Sequence, residues 1–414
     1  MGKKRSIVIF LNVNPFLVRY GALRRCFEIM RGFKDLGFKV ILASSPHTSF
    51  YLWDAQSIRG IQHDWGIDVR LFRLGYWAWK RLALKRRILL LRTKGVLIET
   101  LRNEKLSRWF NRLINETHPE VVLVNYAKYG FLLEGRRDSP FTSVIENHDL
   151  VSLNEKMQLE LKRFFIGEQN RAGTFDERVL QEDYFEQTKL SADAEEFRIY
   201  DRYDITLAIS KKEAGVIKEK TQNTKVIWLP MTLDPSYLDN TYNGCAIFTG
   251  GPNFFNVQGY FYFVKRVLPL IREKAPDFLL EATNMSPCLP YTSEPGVTIH
   301  QFIPDLDSFY AKSSFLICPL LAGTGQKVKI VEAMAHGLAV VATKHAQEDS
   351  PLEHGVSGFV ANSVAEFAEY TIRLWKDKSL RKKMGEAARE KIAAEFSHAR
   401  LLRDLSEIFN AGRS

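Results

Sequence analysis

Cysteine is scarce in this sequence: four residues, Cys26, Cys245, Cys288 and Cys318, are spread over 414 positions. Their spacing forms neither a redox pair nor a zinc-ligand pattern, and it fits a chain that works in a reducing cytosol. Long apolar runs are missing as well, and none approaches the ~18 residues that a membrane-spanning helix needs. The start, MGKKRSIVIFLNV, is basic and then apolar in the manner of a signal peptide. Its apolar part is short and has no small-residue cleavage site, so it reads as a first buried strand. No internal repeat or low-complexity tract is present, which argues against a solenoid or a disordered linker protein. No zinc knuckle, RNP-type motif or helix-turn-helix pattern stands out, which argues against nucleic acid as a partner.

Acids are nearly absent from one region. Between Lys80 and Arg112 only Glu99 and Glu104 oppose a series of cations that includes Arg86, Arg87, Arg92, Arg102, Arg108 and Arg112. Trp77, Trp79, Trp109 and several leucines interleave with them. Such a basic, aromatic-bearing segment (77–112) suits an anionic membrane surface, or alternatively a pair of surface helices with a solvated basic face. The tyrosine and tryptophans from Tyr76 to Trp79 suit an acceptor groove, lipid headgroups or core packing equally. The whole chain has a formal net charge of +10, so an anionic partner is expected. Hydrophobic residues make up 45% of the chain, enough for a globular core, and the length favours two domains over one.

The most informative stretch is FLICPLLAGTGQKVKIVEAMAHGLAVVAT, from Phe315 to Thr343. It reads as strand, glycine loop, helix, glycine stop and strand, the outline of a phosphate-holding unit. Glycines let backbone N–H groups approach an anion without an intervening Cβ, and a helix start adds unpaired N–H groups. Lys327 adds a full charge; Lys329, two residues on, is expected to point elsewhere. Glu332 lies about one and a half turns further along, placed to accept hydrogen bonds from sugar hydroxyls.

Alternation of strand and helix runs through the chain. Strands are expected at Ser6–Val13, Lys39–Ala43, Val121–Asn125, Ser143–Glu146, Ile205–Ile209 and Lys225–Leu229. After the turn-rich Pro230–Gly244 they resume at Cys245–Thr249, Phe278–Glu281, Val297–Gln301, Phe315–Cys318, Ala339–Ala342 and Gly358–Val360. Helices fill the gaps, which predicts two α/β domains with parallel sheets and a ligand cleft at their strand ends. The expected division is an N-terminal domain over 1–235, carrying a charged helical insertion over 154–197, and a C-terminal domain over 236–395. A last helix, 396–414, can return to the first domain. Asp305 and Asp307 precede a helical pattern and read as an N-cap region rather than a metal site.

With these landmarks the chain resembles the family 4 (group 1) glycosyltransferases of the two-domain GT-B fold, two Rossmann-like domains facing each other across a cleft. IFTGGPNFFNVQGYFYFVKRVLPL, GTGQKVKIVEAMAHGLAVVAT and EHGVSGFVANSVAEF resemble that family's C-terminal landmarks. VRYGALRRCFEIMRGF and VIENHDLVSL resemble N-terminal ones. The resemblance implies a retaining, metal-independent transfer of sugar from a UDP- or GDP-sugar to a glycan or lipid-linked acceptor, with no cofactor. It implies catalytic roles for His148 and Lys327 and a phosphate-facing loop at Gly21. Donor contacts fall to Glu332, Gly323, Thr324, Gly325, Gln326, Gly250 and Asn256. The family's usual glutamate eight positions before the ribose-binding one is Thr324 here, and its usual Arg and Lys pair after the opening strand is replaced around Asn253 and Asn256. Expected localisation is the cytoplasm, peripheral at the inner membrane face. The alternatives are an epimerase or phosphorylase of the same fold, or a silent relative acting as a basic binding protein.

Overall fold

Apolar runs too short to form helices pair here into two all-parallel sheets. The computed structural model describes residues 5–16, 21–45, 53–75, 80–81, 84, 102–136, 139–165, 176–283 and 294–410. In the first sheet, β1 (Ser6–Phe10), β2 (Lys39–Ser44), β3 (Asp68–Leu71), β4 (Val121–Asn125), β5 (Thr142–Asn147), β6 (Ile205–Ala208) and β7 (Lys225–Trp228) lie in the order β3-β2-β1-β4-β5-β6-β7. The second sheet is built from β8 (Ala246–Phe248), β9 (Leu280–Thr283), β10 (Val297–His300), β11 (Leu316–Cys318), β12 (Val340–Thr343) and β13 (Gly358–Ala361). Its order is β10-β9-β8-β11-β12-β13. Each order reverses direction beside its first strand, between β1 and β4 and between β8 and β11, which is the Rossmann-like arrangement and leaves a crevice at the strand ends.

Both faces of the first sheet are covered, and the sequence of β1 shows why. Val8 and Phe10 join one core with Phe110 and Leu113 of the helix Glu104–Thr117. Ile7, Ile9 and Leu11 join the opposite core with Phe27, Met30 and Phe33 of the helix Gly21–Asp35. A strand buried on both sides is apolar at every position, not at alternate ones. Each fully buried side chain of this kind contributes about 1.5–3 kcal/mol.

The chain falls into two units: residues 1–153, 191–231 and 398–414, and residues 154–190 and 232–397. The expected insertion of the first domain is thereby corrected, because 154–190 packs with the second unit. Gln258 Nε2 donates to the Val179 carbonyl at 2.7 Å, the Tyr262 hydroxyl to Glu182 at 2.6 Å, and Phe165 stacks on Phe261 at 5.6 Å. Charged helices read as an insertion because their apolar side is narrow. In the first unit, the C-terminal helix His398–Asn410 lies on Gly21–Asp35. Leu401 and Leu405 fill the space left by Gly32, where a Cβ would come within 2.8 Å of Leu405 Cδ1. Two elements were not expected: β3 and the helix Ala55–Trp65, capped by Asp54. β3 is a short, half-exposed strand with Arg70 facing out, so it carries little apolar signal.

Among the described residues no helix is long and apolar enough to cross a membrane. Tyr76–Trp79 and most of the basic segment, including Arg86, Arg87 and Arg92, lie outside the described residues.

Candidate active site

In the second unit the crevice position falls beside β8 and β11, and each of these strands runs directly into a glycine-bearing loop. After β8 come Thr249, Gly250 and Gly251. Gly250 N–H donates to Thr283 Oγ1 at 3.1 Å. A Cβ on Gly250 would stand 3.2 Å from the Asn256 side chain, so glycine is what lets that amide close in. Asn256 Nδ2 donates to the Gly251 carbonyl at 2.7 Å, and Asn253 caps the helix Phe254–Tyr262.

After β11 the chain turns through Gly323, Thr324 and Gly325 into the helix Val328–Ala335. Gly323 has φ +117° and Gly325 φ +67°, values that L side chains rarely adopt. The loop is held from several sides. Lys327 Nζ donates to the carbonyls of Gly323 at 3.0 Å and Gly325 at 3.1 Å. Asn154 Nδ2 donates to Thr324 Oγ1 at 2.7 Å, and the buried Gln326 donates to the Asp349 carbonyl at 2.7 Å. Lys327 is thus buried against its own loop, where it fixes the loop's shape.

Lys329, expected to point away, is instead the lysine that joins the other candidates. Its Nζ donates to Asn256 Oδ1 at 2.5 Å and lies 4.6 Å from the centre of the Phe248 ring. Burial pulls its pKa down to about 8, against the pull of Cys318 and Glu332 that favours the charged form. One turn on, Glu332 accepts a hydrogen bond from the Tyr310 hydroxyl at 3.3 Å. Tyr310 also lies 3.2 Å from Thr249 Oγ1 and stacks on His336 at 4.7 Å. His336 is held by the Glu332 carbonyl and by Asp307, at 2.7 and 3.0 Å. Asp305 caps the helix Leu306–Lys312. Gly323, Gly325, Lys327, Lys329, Glu332, Asn256 and Gly250 therefore share the crevice end of one sheet, with a half-buried cation and a carboxylate one turn on. Sequence spacing missed Lys329 because residues two apart on a helix diverge, yet its long stem reaches across β8.

The first unit carries a different cluster. At the end of β5, Glu146 is wholly buried. It accepts hydrogen bonds from Arg25 Nε at 2.5 Å and Asn125 Nδ2 at 2.5 Å, and His148 Nε2 lies 2.9 Å away. Burial would raise its pKa, but His148 and Arg25 outweigh that and hold it down at about 2. Cys26 Sγ lies 4.0 Å from His148, and burial pushes its thiol up. Cys26, Glu146 and His148 bring their ligand atoms within 4.8 Å of one another. That donor set does not suit a metal here, because the Arg25 guanidinium already occupies Glu146 and supplies the positive charge. Gly21, at φ +57°, opens the helix that carries Arg25 and Cys26. Tyr126, which follows β4, holds φ +119°, a strained backbone for a tyrosine, and its hydroxyl donates to Asp149. Its ring packs edge-on against His148 at 5.5 Å.

These features match known proteins. Residues 245–377 match the family model described as glycosyl transferases group 1. An uncharacterized 44.6 kDa protein in the cps region of Klebsiella pneumoniae is 27% identical over 194 residues, which is 42% of this chain. That match spans about half (48%) of the relative's length. Sucrose-phosphate synthase from Thermosynechococcus elongatus superposes with a TM-score of 0.60 at 14% identity, covering 98% of this chain and 99% of that one. HepE from Anabaena, solved with UDP and glucose, superposes with a TM-score of 0.62 at 13% identity, covering 98% and 100%. At such identities the superpositions speak for the fold, while the family match covers residues 245–377 of the second unit. Residues 245–377 are similar to the glycosyl transferases group 1 family, and the chain has the GT-B fold of two Rossmann-like domains.

Proposed function

We propose that this chain transfers a sugar from a nucleotide-sugar donor to a saccharide or lipid-linked acceptor in the assembly of a cell-surface polysaccharide. The observation that carries this reading is the half-buried Lys329 ammonium, held by Asn256 one turn before Glu332 and just after the Gly323–Gly325 loop. A nucleoside diphosphate offers two groups that this arrangement answers. Its ribose hydroxyls suit the Glu332 carboxylate. Its diphosphate suits the backbone of a glycine loop at a helix start and a half-buried lysine whose charge an anion would stabilise.

Charge develops on the diphosphate as the glycosidic bond breaks, and fixed positive groups there lower the barrier. In this reading Lys329 supplies that charge and Lys327 holds the loop in shape, so no metal is needed. Transfer with retention is part of the proposal, as is the catalytic role of His148. UDP is the first nucleotide to try, since HepE was solved with it. The cps-region relative supports polysaccharide synthesis. A place at the cytoplasmic face of a membrane, beside lipid-linked acceptors, fits the same role.

A thermal-shift panel of UDP, GDP, ADP, CMP and dTDP tests the donor site. One nucleotide should stabilise the protein, and Glu332→Ala should weaken that shift. No shift with any of them would remove the donor reading. His148→Ala should lower kcat while the nucleotide shift persists.

A further inference from the structure

A groove of about 620 Å³ lies in the first unit, away from the Glu146 cluster. One wall is the helix Glu104–Thr117, which presents two adjacent rows to it. Glu104, Arg108 and Arg112 form one row and Ser107, Asn111 and Asn115 the other, each at four-residue spacing. Arg102, Phe131 and Glu134 complete the lining.

The charges here are not all balanced. Glu134 is answered twice, by Arg102 and by Arg202 at 3.3 Å. Arg108 and Arg112, by contrast, have no acid or hydrogen-bond partner among the described residues. The neutral row is set in place. Asn111 Nδ2 donates to the carbonyls of Ser107 at 2.8 Å and Leu132 at 3.2 Å, and Asn115 Oδ1 accepts from Arg136 at 3.0 Å.

We propose that this groove binds an acidic saccharide, its carboxylates or sulfates paired with Arg108 and Arg112 and its hydroxyls against the Ser107 and Asn115 row. Length and chemistry favour this ligand. The lining from Glu104 to Asn115 follows the helix for about 17 Å at 1.5 Å per residue, far more than one phosphate group fills. Planar guanidinium forks suit carboxylates and sulfates, and the hydroxyl and amides suit ring substituents. Phe131 is buried, and among the described residues the groove offers no exposed aromatic or aliphatic anchor, as a membrane surface or stacked bases would need. The inference requires no nucleotide and stands whether or not the donor reading does.

Binding of a galacturonic acid trisaccharide to the full chain, measured by calorimetry at low salt, tests it. Maltotriose, inorganic phosphate and vesicles of phosphatidylglycerol serve as comparison probes. The acidic trisaccharide should bind and maltotriose should not. Arg108→Ser with Arg112→Ser should weaken binding about tenfold or more. Their unfolding midpoint should be unchanged, because neither side chain has a partner to lose. Equal binding of maltotriose, or binding untouched by the double substitution, overturns the proposal. So does phosphate that competes as well as the trisaccharide, or binding to vesicles alone.

Discussion

Lys329→Met should have two opposite effects, because the same half-buried ammonium costs stability and supplies binding. Methionine keeps the length and apolar stem of lysine and removes the charge. In the free protein the folded pKa is about 8 and the ordinary value is 10.5. Below about pH 8 both states hold the proton and Lys329 adds no slope. Between these values the unfolded chain binds more protons, so stability rises with pH by at most about 1.4 kcal/mol per unit from this residue. Wild type should show that rise relative to the variant, and Lys329→Met should be as stable as wild type or more so at neutral pH. Nucleotide binding should respond in the other direction. Losing one charge-assisted contact to a diphosphate costs about 1.5–3 kcal/mol, or roughly 10- to 100-fold in Kd. In wild type, nucleotide affinity should fall as pH rises past the value that the bound anion sets for the lysine. Unfolding by urea across this pH range, with and without the stabilising nucleotide, reads both effects. A variant that binds nucleotide as well as wild type would refute the assignment of Lys329 to the diphosphate. A variant with an unchanged pH slope would refute the burial argument.

Three further outcomes follow from particular contacts. Gly323→Ala should destabilise by about 1–3 kcal/mol and weaken nucleotide binding, since the residue sits at φ +117° with Phe255 Cδ2 only 3.2 Å from the added methyl; a neutral result in a urea titration would contradict this. Glu146→Gln leaves Arg25 buried without its counter-charge and should cost about 3–5 kcal/mol. Because the Glu146 carboxyl sits at about 2 against an ordinary 4.5, its contribution is complete above 4.5 and is lost as pH falls toward 2, a loss that the variant's acid titration should lack. His398 is raised above 6.5 by the nearby Glu28 and Asp35 carboxylates, against burial and Arg31. Its stabilisation is therefore full below 6.5 and is lost as pH rises through the raised value, so hydrogen-exchange protection in His398–Asn410, relative to the intrinsic rate at each pH, should fall at alkaline pH in wild type and stay level in His398→Phe.

Much of the fold was legible in the chain. The strand expected at Val121–Asn125 has those limits in the structure. Most other strands differ from expectation by a residue or two at their ends, where hydrogen bonding and apolar composition part company. Doubly covered parallel strands announce themselves as unbroken apolar runs. Glycines at Gly37 and Gly337 mark helix stops, at φ +84° and +73°, because the left-handed turn there excludes most side chains. The candidate loop was visible for the same reason. β3 and Ala55–Trp65 were not, being half exposed and weakly patterned.

What the sequence determined alone is therefore local: periodicity, glycine stops, the loop-and-helix motif and the position of Glu332. What the tertiary structure decided is which distant residues meet. It placed Lys329 against Asn256 across 73 positions, and Lys327 on its own loop. It gathered Arg25, Asn125 and His148 around Glu146, and assigned 154–190 to the second unit. Spacing along one helix fixes direction only near the backbone. Where a long side chain ends, and whether its charge is met or enclosed, is set by the neighbours that packing supplies.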